Sequence, residues 1–139
     1  MDTLSPQQRS RVMSRVGGRD TAPELLVRSM VHRLGYRFRL YRKDILGTPD
    51  LVFPGRRSVM FVHGCFWHGH DCKRGSLPTS NVAFWVQKIN GNKERDGRIQ
   101  EQLRLEGWNI LTVWQCETKD RGELKKTLIG FFGTAKRSK

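Results

Sequence analysis

The sequence predicts an α/β fold, with a mixed central β-sheet flanked by helices. Two observations carry this expectation. Short apolar or alternating stretches are interrupted by longer stretches at helical spacing, in the order helix, three strands, helix, strand, helix; this fits neither an all-β protein nor a helical bundle. A chain of 139 residues with 37% hydrophobic residues can also bury one core but not two. One domain over residues 21–133 is therefore expected, preceded by a basic arm (1–20) and followed by a basic tail (134–139).

Each element has its own local signals. Ser5-Pro6 can open a short helix through Val16 that carries Arg9, Arg11 and Arg15, and Gly17-Gly18 breaks it. Asp20 or Thr21 can cap the next helix, Pro23 suits its first turn and Glu24 suits a capping box. Leu26, Met30 and Leu34 then recur at helical spacing until Gly35 ends the run. Tyr36 to Leu40 alternates apolar and basic residues, the pattern of a half-buried strand. Asp50 to Phe53 and Ser58 to His63, joined through Pro54-Gly55, read as a hairpin, and residues 64–80 as a loop. Val82 to Glu106 is mostly helical, although Gly91 and Gly97 weaken it. Gly107 stops that helix, Trp108 to Trp114 is a strand, and a last helix covers roughly 120–132.

Charge narrows the partners. Lys and Arg number 26 against 13 Asp and Glu, a net +13, so the surface attracts polyanions and nucleic acid is the expected partner. No apolar run approaches the length of a membrane span, and the first ten residues show no apolar signal segment. Three cysteines give no disulfide framework and fit reduced thiols in the cytoplasm.

All three cysteines can serve one metal site. Cys65-x4-His70-x-Cys72 gathers three ligands in one short loop, and Cys116 lies just beyond the strand ending at Trp114. Three thiolates and one imidazole form a closed tetrahedral set suited to one structural zinc, whose binding would contribute folding energy directly. The competing reading is three ordinary buried cysteines.

Two histidines, His63 and His68, remain beside that loop. Asp50 opens one strand of the hairpin and His63 closes the other, so the fold would bring a carboxylate near imidazoles. A carboxylate can hold Mg²⁺ and an imidazole can activate water, the combination that phosphodiester hydrolysis requires. Singly, Asp50 could be a turn residue, and His63 and His68 could be structural or metal-loop residues; His32 reads as structural.

Longer strings then add a resemblance. Gly47-Thr48-Pro49-Asp50-Leu51-Val52, the run from Phe61 through His63-Gly64-Cys65-Phe66-Trp67-His68 to Cys72, Phe84-Trp85 with Lys88, Asn92 and Asp96, Gly107-Trp108 through Cys116-Glu117, and Arg19-Asp20-Thr21-Ala22-x-Glu24 together resemble the very short patch repair (Vsr) endonucleases over roughly residues 5–120. The resemblance implies a restriction-endonuclease-like core whose second acidic strand motif is replaced by Phe61-Val62-His63. It also implies strand-specific nicking 5′ to the T of T·G mismatches that arise from 5-methylcytosine deamination.

Carried over by motif, Asp50 would bind the catalytic Mg²⁺ together with the backbone carbonyl of Val62. His68 would be the water-activating base, and His63 would assist at the phosphate or leaving group. Glu24 and Asp96 match acidic positions that hold metal-bound water or a histidine, with helix capping the rival role for Glu24. Phe66, Trp67 and Trp85 match residues pushed into the base stack, where wedge insertion costs less beside a mismatch; Met13 would enter from the other groove. Core packing is the competing role for these aromatics, and Trp108 and Trp114 read as core or zinc-site packing. Arg9, Arg11, Arg15, Arg42, Lys73, Arg74 and Lys88 are phosphate-contact candidates. Double-stranded mismatched DNA is the implied substrate. Mismatch-repair proteins and a companion cytosine methyltransferase are implied partners, with the protein a monomer associated with the nucleoid. Two alternatives stay open: a nuclease of the same fold with broader mismatch or restriction-like targets, and a zinc-stabilised DNA-binding protein without catalysis. The second would leave Asp50, His63 and His68 unexplained.

Overall fold

The computed structural model describes residues 21–134. The basic arm, with Met13 and Arg15, and residues 135–139 of the tail lie outside them.

Helix α1 (Ala22–Arg33) begins where the Thr21 hydroxyl accepts the Glu24 N–H at 3.4 Å, with proline in its first turn, and ends before Gly35 at φ 91°. Strand β1 (Leu51–Phe53) pairs antiparallel with β2 (Ser58–His63) through the expected hairpin, in the register Leu51↔Met60. Helix α2 (Val82–Leu105) then supplies the long crossover that a parallel pairing needs. It leads into β3 (Asn109–Trp114), parallel to β2 with His63 opposite Trp114. Helix α3 (Arg121–Thr134) closes the described chain. The sheet order is β1-β2-β3.

Alternation along the strands sorts their side chains onto two faces. Leu51, Phe53, Met60, Val62 and Val113 pack with Val27 and Val31 of α1 and with Leu124, Leu128 and Phe132 of α3. Val52, Val59 and Phe61 face the other way, against Leu103 of α2 and Ile45. The central strand β2 is buried along its whole length, because it has a strand on each side and helices on both faces. By the same alternation His63 shares the α2 face with Phe61, which places it toward the helix that carries Asp96.

One expectation is corrected. The described sheet has three strands rather than four: Tyr36–Leu40 forms only an isolated bridge, Arg39 to Val52, with backbone hydrogen bonds of 2.8 and 3.0 Å. Tyr36, Phe38 and Leu40 still pack on the core as the alternation implied. However, β1 offers only three residues to pair with, and Tyr41 at φ 57° turns the chain away. The α2 helix covers the stretch expected to be helical and runs unbroken through Gly91 and Gly97. Buried Trp85, Ile89 and Leu103 anchor it, each stabilising by about 2 kcal/mol, which outweighs about 1 kcal/mol per glycine. No helix among the described residues is long and apolar enough to cross a membrane.

Candidate active site and metal centre

Asp50 sits one residue before β1 and is aimed by a constrained turn. Gly47 has φ 79°, and a Cβ there would lie 2.5 Å from Ile99 Cγ2. Thr48 holds φ 43°, a left-handed conformation rare for a β-branched residue and typical of functional turns. Asp50 Oδ2 then accepts the Val62 N–H at 2.6 Å. In a strand the N–H and C=O of one residue project to the same side, so the Val62 carbonyl lies on the edge of β2 that Asp50 approaches. Burial pushes the Asp50 carboxyl up to about 6, and nearby Glu24 adds to this, while the Val62 N–H, His68 and Arg28 pull the other way. Glu24 itself is 4% exposed. Its carboxylate takes a hydrogen bond from Arg28 at 3.2 Å. Two mutually repelling carboxylates and a carbonyl edge on one cavity of about 740 Å³ form a hard-oxygen donor set that fits a divalent cation such as Mg²⁺.

Across the same cavity, His63 and His68 stack with ring centroids 3.7 Å apart and planes within 5°. His68 Nδ1 is 2.5 Å from Asp96 Oδ2, and because a carboxylate oxygen only accepts, Nδ1 is the donor and Nε2 is left to face the cavity chemistry. Burial would raise the Asp96 pKa, but the His68 hydrogen bond and the electrostatic pull of the His68, His63 and Arg95 side chains more than reverse this and hold the group below its usual range. Burial, reinforced by the neighbouring His68, pulls the His63 pKa down to about 4 and keeps that ring neutral. His63 Nδ1 is buried without a hydrogen-bond partner. His63, His68 and Asp96 also lie within metal-clustering distance. The stacked rings also stand beside the Asp96 carboxylate, an arrangement suited to proton handling.

The second cluster is different in kind. Ligand atoms of Cys65, His70, Cys72 and Cys116 all lie within 4.8 Å of one another. His70 Nδ1 is 3.5 Å from Cys116 Sγ, and the Cys116 N–H points at Cys65 Sγ at 3.4 Å. Burial pushes the ion-free Cys65 thiol up to about 12; a bound cation would reverse that. Three sulfurs and one imidazole in this spacing can hold a metal, and the donor chemistry fits zinc. The loop closes tightly: His70 N–H donates to the Cys65 carbonyl at 3.0 Å, and a Cβ on Gly75 would lie 1.9 Å from the His70 carbonyl oxygen. Trp114 stacks on His70 at 4.2 Å and sets its edge toward His63 at 5.3 Å, linking the cysteine cluster to the histidine pair.

Phe66 and Trp67 are half-buried and line the cavity that holds Asp50 and His68. Trp85, grouped with them on sequence, is 2% exposed; it lies beneath them with ring centroids at 5.3 and 6.0 Å. In this conformation Trp85 is a platform rather than a surface wedge, because α2 and the loop cover it. Lys88 is exposed on the cavity wall. Two contacts were not foreseen. Asn92 donates to the Trp67 carbonyl at 2.9 Å and so fixes the loop to α2. Arg28 binds Glu24, and the only sequence signal for that is their i,i+4 spacing.

A family profile described as DNA mismatch endonuclease Vsr matches residues 1–74. The chain is 54% identical over 127 residues to the type II nicking enzyme V.XorIIP of Xanthomonas oryzae pv. oryzae, covering 91% of this chain and 93% of that protein. It is 40% identical over 123 residues to the DNA mismatch endonuclease Vsr of Escherichia coli (strain K12), covering 88% and 79%. Among solved structures, the homing endonuclease I-Bth0305I catalytic domain superposes with a TM-score of 0.57 at 18% identity, covering 83% of this chain and 97% of that one. This last likeness concerns the fold alone, which the two chains share.

Proposed function

The chain belongs to the DNA mismatch endonuclease Vsr family, and from that premise we propose that it is a Mg²⁺-dependent enzyme that nicks duplex DNA 5′ to the T of a T·G mismatch. One observation carries the reading: Asp50, His63, His68 and Asp96 line the same cavity as the aromatic pair Phe66 and Trp67. A phosphate held there would meet both a cation site and a base, and the flanking base step would meet a wedge.

Each residue then has a chemical task. Asp50 and the Val62 carbonyl would hold the ion, with Glu24 positioning its water ligands; Mg²⁺ bound there supplies charge neutralisation at the scissile phosphate. His68 Nε2 takes the proton of the attacking water, and Asp96 stabilises the resulting imidazolium and keeps its orientation. Neutral His63 hydrogen-bonds the phosphate or leaving oxygen. Phe66 and Trp67 enter the base stack, with Trp85 bracing them from below. Met13, Arg15 and Lys88 would contact DNA from the arm and the cavity wall. Cys65, His70, Cys72 and Cys116 would hold one structural zinc that locks the loop presenting His68.

The test incubates the protein with Mg²⁺ and end-labelled duplexes that carry T·G, U·G or matched pairs in varied contexts. The reading expects a single nick 5′ to the mismatched T. Equal cutting of matched duplexes would remove the mismatch part and favour a broader nicking activity. That alternative has support in the name of the 54% identical relative, a type II nicking enzyme.

A further inference from the structure

Glu24 and Asp50 line one cavity as an electrostatically coupled pair of carboxylates that the fold keeps largely out of water. Such groups are rarely buried unless a countercharge accompanies them. Among the described residues the countercharge comes from α1 itself. Arg28, one turn beyond Glu24, donates from Nη2 to Glu24 Oε2 at 3.2 Å, and the two side chains are only 12% and 6% exposed. Its field also reaches Asp50, where it opposes the effect of Glu24. On the far side Tyr41 holds the guanidinium, with its hydroxyl 3.5 Å from Nη2 and its ring centroid 5.7 Å from the guanidinium carbon. Tyr41 takes φ 57°, a conformation that bulky residues keep only where surrounding contacts enforce it.

We propose that Arg28 is the resident counter-cation of the Glu24–Asp50 pair, steadied by Tyr41, and that it weakens divalent-ion binding at that pair to a moderate, exchangeable affinity. It is a positioning residue that touches neither the ion nor DNA. The inference rests on the reading that Asp50 holds a cation. Around Asp50, Glu24 repels further negative charge, while His68 with Asp96 stands opposite; Arg28 is the fixed positive charge on the α1 side. An arriving divalent ion meets two carboxylates already partly neutralised, so removing the arginine charge strengthens its attraction.

The experiment measures Mn²⁺ binding to the full, zinc-loaded chain without DNA at pH 8, by electron paramagnetic resonance of the free ion. Wild type is compared with Asp50→Asn, Arg28→Met and Arg28→Lys. The site reading expects Asp50→Asn to abolish the tightest Mn²⁺ binding. Arg28→Met is expected to bind Mn²⁺ about fivefold more tightly than wild type. Arg28→Lys, which keeps the charge, should stay within about twofold of wild type. Unchanged or weaker binding in Arg28→Met overturns the inference, as does equal tightening in Arg28→Lys. If Arg28→Met does not fold, Arg28→Gln, neutral but still able to donate to Glu24, takes its place with the same expected direction. Asp50→Asn without effect would show that the cation reading itself has failed, and this inference with it. Loss in Asp50→Asn without tightening in Arg28→Met would refute the inference alone.

Discussion

Asp96 Oδ2 lies 2.5 Å from His68 Nδ1, a contact that fixes which nitrogen of His68 carries the proton. Replacing the carboxylate with the amide in Asp96→Asn keeps the shape but removes the charge that stabilises imidazolium and allows the wrong tautomer. Single-turnover nicking should fall by about 10²- to 10⁴-fold with DNA binding nearly unchanged. A variant that nicks as fast as wild type would show that His68 does not act through Asp96.

The raised pKa of Asp50 has a consequence for stability. The folded protein keeps the Asp50 proton up to about 6, whereas the unfolded chain releases it near 3.8. Stability of the ion-free protein therefore falls as pH rises between those values, and above pH 6 the ionised group costs about 3 kcal/mol. His63 shifts the opposite way, to about 4 from 6.5, so its contribution is lost as pH falls through that range. That effect is common to wild type and the Asp50→Asn variant. Thermal unfolding in a chelator too weak to strip zinc should show Asp50→Asn more stable than wild type at pH 7.5, with the gap closing toward pH 4.

Burial separates the aromatic residues, with Trp85 enclosed and Phe66 and Trp67 half-buried at the cavity, where the proposed wedge would stand. Trp85→Ala removes a ring that is 2% exposed and should destabilise the fold by about 3–5 kcal/mol in urea unfolding. Phe66→Ala and Trp67→Ala remove half-buried rings at the cavity. They should cost less stability but reduce the preference for mismatched over matched duplex in the nicking assay. Equal discrimination by Trp67→Ala and wild type would remove the wedge role.

Gly75 is required by the loop around the cysteine cluster. A Cβ there would meet the His70 carbonyl oxygen at 1.9 Å, a backbone atom that cannot swing aside. Gly75→Ala should displace His70 from the cysteines and lower the bound metal, read as zinc per chain after gel filtration, from about one toward zero. Full retention would show that the loop tolerates a shift the geometry does not suggest.

Much of this was legible in the sequence because it depends on local rules. The Thr21 cap, the stop at Gly35, the hairpin and the crossover helix follow from capping, turn chemistry and periodicity, whereas the covering of the Phe61–His63 face by α2 comes from the fold. Tyr36–Leu40 was misread because its alternation reports burial, while strand formation needs a partner that β1 is too short to provide. Trp85 could not be assigned from its motif, since burial depends on how the Phe66–Trp67 loop folds over α2. The bridging position of Trp114 between His70 and His63 rests on the β2–β3 register, which no local pattern encodes. Glu24 read both as a capping residue and as an acid near the site, and the fold turns its carboxylate toward Arg28 beside Asp50.

The central claim is that an ion held at Asp50 and a base at His68 act on one scissile phosphate. The direct measurement compares single-turnover nicking of a T·G duplex in Mg²⁺ by wild type, Asp50→Asn and His68→Ala, with affinity for the same duplex measured in Ca²⁺. Each variant should lose at least about 10³-fold in rate while binding the duplex within a few-fold of wild type. Nicking near the wild-type rate by either variant would contradict the claim.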